Sequence, residues 1–256
     1  MASQEKQTLS TIRRAFRVFR LIRENNGARV SELASELDVA PSTIHSYLAT
    51  LQEEEYLIKD GDEYHLSLKF LDYATYAKTR KKGYNMCIQS VRSLADDTGE
   101  RTQFVVEEHG RAVYVKTEAV GDEAVKLDRR PGMTRPLHST SDGKAILAHL
   151  PSRRREKIIE NKYLEAETKN TITEVDELRS ELEQVREDGA AFNDEESVIG
   201  LRAVGVPVFS PNGLILGALS IAGPTNRLTG DYYTDILPSK LLTYKNKIEL
   251  ELKYSD

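Results

Sequence analysis

The chain has 256 residues, with 36 Lys and Arg against 41 Asp and Glu, for a formal net charge of −5 at pH 7. This length corresponds to one or two domains. No apolar run approaches the roughly 20 residues that a membrane-spanning helix needs, and no signal-peptide pattern is present. A single cysteine, Cys87, excludes an internal disulfide framework. We expect a cytoplasmic protein whose acidity argues against bulk, sequence-independent nucleic-acid binding.

The first predicted helix carries both an apolar stripe and an arginine-rich face. Five arginines and no acidic residue lie between Thr11 and Arg23. They form either a solvated charged face or a set of contacts to DNA phosphates, and this segment alone favours neither. The apolar residues recur at helical spacing. They are Ile12, Ala15, Phe16, Phe19 and Ile22.

Two further helices follow, joined by a three-residue turn at 38–40. Ser31 is the expected cap of the first, and Pro41 begins the second, because a first helical residue needs no free N–H. In the second helix Ile44 and Leu48 face inward, and the opposite face is small and polar. Such a face fits a major groove about 12 Å wide, where hydroxyl and imidazole groups reach base edges. Its residues are Ser42, His45, Ser46 and Ala49.

A β-hairpin is predicted after these helices. Residues 56–59 are predicted as a strand, Asp60-Gly61 is a tight-turn pair, and residues 63–68 alternate as the return strand. Three helices and a hairpin make a winged helix-turn-helix, whereas a plain three-helix bundle with a polar outer face is the alternative. The wing carries Lys59 but has an acidic tip, so DNA binding would depend on the arginines and the polar helix face.

The rest of the chain alternates strands and helices. We predict three parts: a DNA-binding domain over 1–69, a linker helix over 70–83, and a second domain over 84–256. The helical stretch 69–98 is expected to break at Gly83. The other predicted elements are strands at 103–107, 112–117, 124–127, 201–210 and 214–222, and helices at 152–163, 174–187 and from 229 onward, the last bent at Pro238.

No catalytic or metal-binding motif is evident. The five histidines lack metal-ligand spacing, and there is no nucleophile elbow or phosphate-binding glycine loop. His138, Ser139 and Asp142 are close in sequence, but a catalytic triad depends on geometry. The helix start after Leu137 forms either a small anion or hydroxyl site or an ordinary capped helix. We expect no enzyme, metal or cofactor, and keep an enzyme built on the second domain as the alternative function.

Three segments of the chain resemble the IclR family of transcription regulators. The first is 30–51, with Pro41-Ser42-Thr43-Ile44-His45. The second is 137–150, with Gly143-Lys144-Ala145. The third runs from Asp194-Glu195-Glu196 through Gly200-Leu201-Arg202 to Ser220-Ile221-Ala222-Gly223-Pro224. The sequence at residues 170–173 and 193–196 is similar to that of family members from salt-loving archaea.

The resemblance implies an α+β protein, with an N-terminal winged helix-turn-helix joined by a linker helix to a GAF- or profilin-like α/β effector-binding domain. It implies a homodimer or homotetramer that binds a palindromic operator in double-stranded DNA. A metabolite of a catabolic pathway (a sugar, sugar acid, or organic or aromatic acid) would control it. DNA contacts are expected from Arg13, Arg14, Arg17, Ser31, Ser42, Thr43, His45, Ser46 and Lys59. Effector contacts are implied at Leu127, Ser141, Asp142, Gly143, Asn193, Asp194, Leu201, Ala203 and Ser220.

Several positions depart from the family pattern. Ala203 replaces a frequent cysteine, Asn193 a common carboxylate, and Ala222 a frequent serine, so no known effector carries over to this chain. Ser46 replaces a frequent arginine in the recognition helix. Asp142 would repel a bound carboxylate if it faced the pocket, which leaves a hydroxylated ligand such as a sugar or a sugar acid open.

Overall fold

The computed structural model describes residues 8–120, 129–161 and 164–254. The chain divides into two units, Met1–Ala77 and Lys78–Asp256. The candidate strand at 124–127 and the predicted effector residue Leu127 lie outside the described residues. Among the residues described, no helix is both long and apolar enough to cross a membrane.

The first unit is a winged helix-turn-helix. Its hairpin is antiparallel, with Leu57 opposite Leu66, and Gly61 turns the chain at a φ of 57°. Tyr64 pairs with Ala28 and so joins the wing to the loop before the second helix. The elements are α1 (Ser10–Glu24), α2 (Val30–Leu37), α3 (Pro41–Glu53), β1 (Leu57–Asp60), β2 (Glu63–Leu66) and α4 (Phe70–Thr79).

The apolar stripe predicted for α1 is only partly buried. Ile22 lies in the core beside Val18, but the side chains of Ile12 and Phe16 are 53% and 60% exposed. The buried residues of α1 both lie in its C-terminal half. Its first turns therefore extend beyond the core that the helix helps to form, and their apolar residues face outward.

The predicted cap of α2 is wrong. The helix begins at Val30, and Ser31 lies exposed within its first turn. The N–H of Arg29 instead donates to Oε2 of Glu32 at 2.7 Å. A glutamate at the third helical position reaches back to the N–H before the helix, which is one half of the capping-box arrangement.

The second unit is built on a six-stranded antiparallel sheet. The strand order is β5-β4-β3-β8-β7-β6, so both strands of the predicted hairpin β7–β8 are interior strands, and β8 is one of the two central ones. Gly205 of β7 pairs with Ser220 of β8. The elements are α5 (Lys82–Thr98), β3 (Arg101–Glu108), β4 (Arg111–Glu118), β5 (Thr134–Arg135), α6 (Ser141–His149), α7 (Ser152–Asn161), α8 (Val175–Asp188), β6 (Ala191–Asp194), β7 (Leu201–Phe209), β8 (Ile215–Pro224) and α9 (Leu237–Tyr254).

Helices cover both faces of this sheet. Helices α5 and α9 pack on the face that carries Phe104 and Leu219. Helices α6, α7 and α8 pack on the face that carries Val105 and Ala218. Neighbouring residues of a strand point to opposite faces, so each strand contributes to both cores. The second unit is therefore the α/β domain that the resemblance implies, with its helices packed on an antiparallel sheet.

Two helix irregularities differ from the predicted positions. Helix α4 ends at Thr79 and α5 begins at Lys82, so Gly83 lies inside the first turn of α5 rather than at the break. A Cβ at Gly83 would come within 2.6 Å of the Leu216 side chain, which explains the glycine by packing. Pro238 lies in the first turn of α9, and a short π-helix, Tyr232–Ile236, precedes that helix. The π-helix runs directly into α9, so the missing N–H of Pro238 falls next to a turn whose regular hydrogen-bond pattern is already interrupted.

Candidate functional site

The polar face of α3 is exposed, as predicted. Ser42, His45 and Ser46 are open to solvent and Thr43 is half-buried, while Ile44 and Leu48 on the other side are fully buried. The hydroxyl of Ser46 donates to the carbonyl oxygen of Ser42 at 3.2 Å. The helix therefore presents hydroxyl and imidazole groups, without a bulky charge, on a face that no other described part of this unit covers.

The basic side chains of the first unit differ in their contacts. Arg13 donates to the hydroxyl of Thr8 at 2.8 Å. Arg14 and Arg17 have no carboxylate partner among the residues the structure describes. Lys59 on the wing lies 5.4 Å from the ring centroid of Tyr64.

Ser31 has an acidic environment. It lies at the rim of a shallow surface cleft of the first unit. The same cleft is lined by Glu32, Glu36 and Glu63, whose charges oppose the approach of a phosphate.

A small cavity lies in the second unit beside the start of α6. The free space inside it is about 10 Å³, which is room for about one water molecule. It contains five of the predicted effector residues: Ser141, Asp142, Asn193, Leu201 and Ala203. Ala222, where the sequence departs from the family pattern in a way that bears on the effector, also lines the cavity. Sequence reasoning did not assign the remaining lining residues to the pocket, and these are Gln103, Tyr114, Arg129, Thr140 and Ser197.

The start of α6 is fixed by hydroxyl groups around Asp142. Thr140 caps the helix, because its Oγ1 accepts from the N–H of Gly143 at 3.1 Å. The same hydroxyl donates to Oδ1 of Asp142 at 2.8 Å, and Ser220 donates to Oδ2 at 2.9 Å. Burial raises the pKa of Asp142, while these two hydroxyls oppose the shift. Ser220 thus supports Asp142 from β8 and does not itself line the cavity.

Gly143 lies at the start of α6, next to the cavity, but does not line it. A Cβ at this position would collide with the backbone of Leu137. Across the same helix start, a Cβ at Gly205 would lie 2.7 Å from the backbone nitrogen of Asp142. Both glycines let α6 approach its neighbours closely, so Gly143 shapes the site without contacting the space inside it.

The loop after β6 is held by Asn193. Its amide nitrogen donates to the Ser139 carbonyl oxygen at 2.8 Å and to the Ser197 hydroxyl at 3.0 Å. Its amide oxygen accepts from the N–H of Glu196 at 3.0 Å. The amide that replaces a frequent carboxylate therefore makes hydrogen bonds in both directions.

Asp194 does not reach the cavity, which differs from the expectation. Its side chain is half-exposed and binds Arg202, with 2.7 Å between Oδ1 and the guanidinium Nε. Successive residues of a strand point to opposite faces, so Asn193 and Asp194 cannot both line the same space.

A buried lysine beside the cavity forms ion pairs with two carboxylates from separate parts of the unit. Nζ of Lys144 lies 2.7 Å from carboxylate oxygens of both Glu181 on α8 and Glu196 in the loop. Burial raises the pKa of Glu196, and the ammonium of Lys144 opposes that shift. Sequence reasoning did not assign these roles, since no local pattern indicates which distant carboxylates meet a lysine.

The groups considered for hydrolysis do not form a triad. Nε2 of His138 lies 3.1 Å from the carbonyl oxygen of Glu165, and Ser139 donates to Glu167. Burial lowers the pKa of His138. In the described parts of the chain, no group of three or more His, Cys, Asp or Glu is arranged to hold a metal ion.

Comparison with known proteins places both units in one family. The family described as "Bacterial transcriptional regulator IclR C-terminal" matches residues 84–249, and "IclR helix-turn-helix domain" matches residues 11–61. The chain is 32% identical to the "Probable HTH-type transcriptional regulator ArcR" of Halobacterium salinarum, over 97% of this chain and 96% of that protein.

Solved structures agree with this assignment. The Thermotoga maritima IclR matches with a TM-score of 0.82 and 27% identity, over 96% of this chain and 100% of that one. The inducer-binding domain of PobR from Acinetobacter, a double mutant in complex with 3-hydroxybenzoic acid, matches with a TM-score of 0.59 and 26% identity. That match covers 64% of this chain and 96% of the PobR domain. The chain therefore belongs to the IclR family of DNA-binding transcription regulators.

Proposed function

We propose that the protein binds a specific operator through α3 and that a small metabolite in the cavity of the second unit controls this binding. The observation that carries the proposal is the exposed polar face of α3, in a unit whose other helices are packed behind it. Ser42, Thr43, His45 and Ser46 would contact bases, because hydroxyl and imidazole groups match the donors and acceptors of the major groove.

Phosphate contacts would come from the arginines of α1. Arg14 and Arg17 support this role, since no described carboxylate neutralises them. Arg13 of α1 and Lys59 of the wing are the other two proposed phosphate contacts. We leave Ser31 out of the proposed contacts, because Glu32, Glu36 and Glu63 line the same cleft and would repel a phosphate.

A metabolite effector is supported by the cavity beside α6. The cavity is lined by polar side chains together with the apolar residues Leu201, Ala203 and Ala222. Binding sites for small molecules combine such apolar walls with a few polar groups that fix orientation. An effector that prefers one conformation of the second unit would shift the population and so alter operator affinity.

Self-association is supported by apolar surface on α1 and α4. Phe16 and Leu71 are each about 60% exposed. The two helices meet through Phe19 and Phe70, whose ring centroids lie 5.2 Å apart. A second copy packed on this surface would pair two recognition helices, which suits a palindromic operator with half-sites about 34 Å apart.

The variant Ser46→Glu tests the proposed DNA interface. A carboxylate in the groove would face phosphates and base acceptors, so we expect operator affinity to fall at least about tenfold, the scale of one lost base contact. The measurement is fluorescence anisotropy with an operator selected from genomic fragments by the wild-type protein.

The matched control is Ser93→Glu, which adds the same charge to an exposed position of α5. It should leave operator affinity within about twofold. If Ser46→Glu binds the operator as tightly as the wild type, α3 does not contact DNA and the proposed interface is wrong.

A further inference from the structure

A second cavity in the second unit lies between α7 and α8 and shares no lining residue with the cavity beside α6. Its free space is about 60 Å³, which holds about four water molecules. Three guanidinium groups and two carboxylates line it, together with the apolar side chain of Leu182. The charged residues are Arg155 and Glu156 of α7 and Arg179, Glu183 and Arg186 of α8. Guanidinium groups from two helices therefore meet around one space.

Both oxygens of the Glu156 carboxylate are engaged by arginines. Its Oε1 accepts from Nε of Arg155 at 2.9 Å. Its Oε2 accepts from Nε and Nη2 of Arg179 at 3.1 and 3.0 Å, and Asp176 accepts from Nη1 of the same arginine at 2.9 Å. Glu156 and Arg179 are therefore satisfied within the protein. The terminal nitrogens of Arg155, whose side chain is 17% exposed, have no hydrogen-bond partner among the residues that the structure describes.

Arg186 has no carboxylate partner in the described part of the chain. Its Nε donates to the carbonyl oxygen of Ala148 near the end of α6, which fixes the orientation of the guanidinium group. Burial and the nearby positive charge of Arg155 lower the pKa of Arg186, and Glu183, which is exposed, opposes that shift without forming an ion pair. Two guanidinium groups that repel each other across one cavity are stabilised when an anion lies between them.

The arrangement of the two arginines favours an anion with oxygens on several sides. Arg155 and Arg186 belong to different helices, so each brings its own set of N–H donors to the cavity. A tetrahedral phosphoryl group can accept from both sets, whereas the two oxygens of a carboxylate match one planar guanidinium group. The free space suits one phosphoryl group, so any larger part of a ligand would extend into solvent.

We propose that Arg155 and Arg186 bind a phosphoryl group, either free phosphate or the phosphate of a small monoester, in the cavity between α7 and α8. This site is separate from the effector cavity and does not depend on the proposed operator binding. Arg179 is a positioning residue, because it holds the Glu156 carboxylate that orients the guanidinium group of Arg155. A phosphate bound there would link α7 to α8 and, through Arg186, to the end of α6.

Calorimetry on the full chain tests this site with sodium phosphate, and with sodium acetate and sodium chloride at equal ionic strength as comparison anions. We expect phosphate to give a saturable isotherm and acetate to bind at least about tenfold more weakly. Arg186→Gln should weaken phosphate binding about tenfold or more, because charge-assisted hydrogen bonds are lost. The matched control Arg153→Gln removes an exposed arginine of α7 outside the cavity and should change the affinity less than about twofold.

Thermal unfolding separates loss of binding from loss of fold. Without phosphate, Arg186→Gln should unfold at the wild-type temperature, since it leaves no described carboxylate without a partner. Sodium phosphate should raise the unfolding temperature of the wild type and of Arg153→Gln more than that of Arg186→Gln. The general stabilising effect of phosphate acts on all three proteins alike, so this difference reports the site.

Glycerol phosphate distinguishes the two sources of the phosphoryl group. Tighter binding than that of inorganic phosphate indicates a monoester, and equal or weaker binding indicates free phosphate. The proposal is overturned if phosphate binds no better than chloride, if acetate binds equally well, or if Arg186→Gln binds phosphate as the wild type does. It is also overturned if Arg153→Gln loses as much affinity as Arg186→Gln, because the effect would then be one of surface charge.

Discussion

At the level of single side chains, the second unit depends on buried charges that are matched inside the protein. Lys144 is almost completely buried, yet it meets Glu181 and Glu196 at 2.7 Å each. Glu196 also has one oxygen without a described hydrogen-bond partner. The ammonium group of Lys144 is therefore the main interaction that offsets the lost hydration of the Glu196 carboxylate.

Removing Lys144 should be strongly destabilising. The variant Lys144→Met leaves Glu196 buried without its cation, and loss of one partner from a buried pair costs about 3–5 kcal/mol. Urea unfolding of the full chain followed by circular dichroism measures this loss. The double variant Lys144→Met/Glu196→Gln, which removes both charges, should recover much of the stability. A single variant as stable as the wild type would show that the pair contributes nothing.

The candidate site could be predicted from sequence only where it is local. Ser141 and Asp142 could be predicted as site residues because a polar segment that leads into an apolar helix marks a helix start. Arg129 and Gln103 were not, because they reach the cavity only when separate strands and loops are assembled. One local signal was Gln103, which directly precedes the apolar run 104–106 of its strand, since a buried amide needs a partner.

At the level of elements, close packing between α6 and β7 positions the cavity. Gly205 of β7 faces the backbone of Ser141 and Asp142, with no room for a side chain. The contact involves backbone atoms, which cannot move aside as a flexible side chain can. The absence of a Cβ at one strand position therefore fixes the distance between the helix start and the sheet.

Gly205→Ala should disturb this packing. The added Cβ would lie 2.7 Å from the nitrogen of Asp142. Overpacking of this kind costs about 1–3 kcal/mol. Thermal unfolding should show a lower midpoint, and binding of any cavity ligand should weaken in parallel. An unchanged midpoint would mean that α6 can shift away from the sheet without cost.

Most elements followed from the sequence because their signals are periodic. Alternation predicted the return strand of the wing, the turn at 211–213 predicted the hairpin β7–β8, and helical spacing predicted α1, α3 and α8. The same spacing could not tell that Phe16 and Ile12 are exposed while Ile22 is buried. An apolar stripe that meets a core and one that meets another chain have the same period, so only the three-dimensional packing separates them.

At the level of the whole molecule, the apolar surface of α1 and α4 is the feature that the first unit leaves uncovered. It includes Ile12, Phe16, Leu71 and Tyr76, each more than half exposed. Large exposed apolar patches mark interaction sites, because water contact with them is unfavourable. This surface is the proposed contact between copies of the chain.

Polar substitutions in this surface should separate the copies. We expect Phe16→Ser/Leu71→Ser to shift the protein toward monomer in light scattering and to weaken operator binding, since one recognition helix alone contacts half a palindrome. The control is Leu250→Ser, an equally exposed leucine on α9 of the second unit. If the double variant keeps the wild-type mass, this surface is not the interface.

The proposed control of DNA binding joins a ligand in the second unit to the operator on the first, and operator titration with a bound effector tests it most directly. Operator binding by the full chain is measured by fluorescence anisotropy, with and without a compound that calorimetry shows to bind the wild type, for the wild type and for Ala203→Leu, in which a larger side chain fills the cavity. We expect equal operator affinity for both proteins without the compound, and a shift on adding it in the wild type alone. An operator affinity that the bound compound leaves unchanged in the wild type would show that the cavity does not control DNA binding.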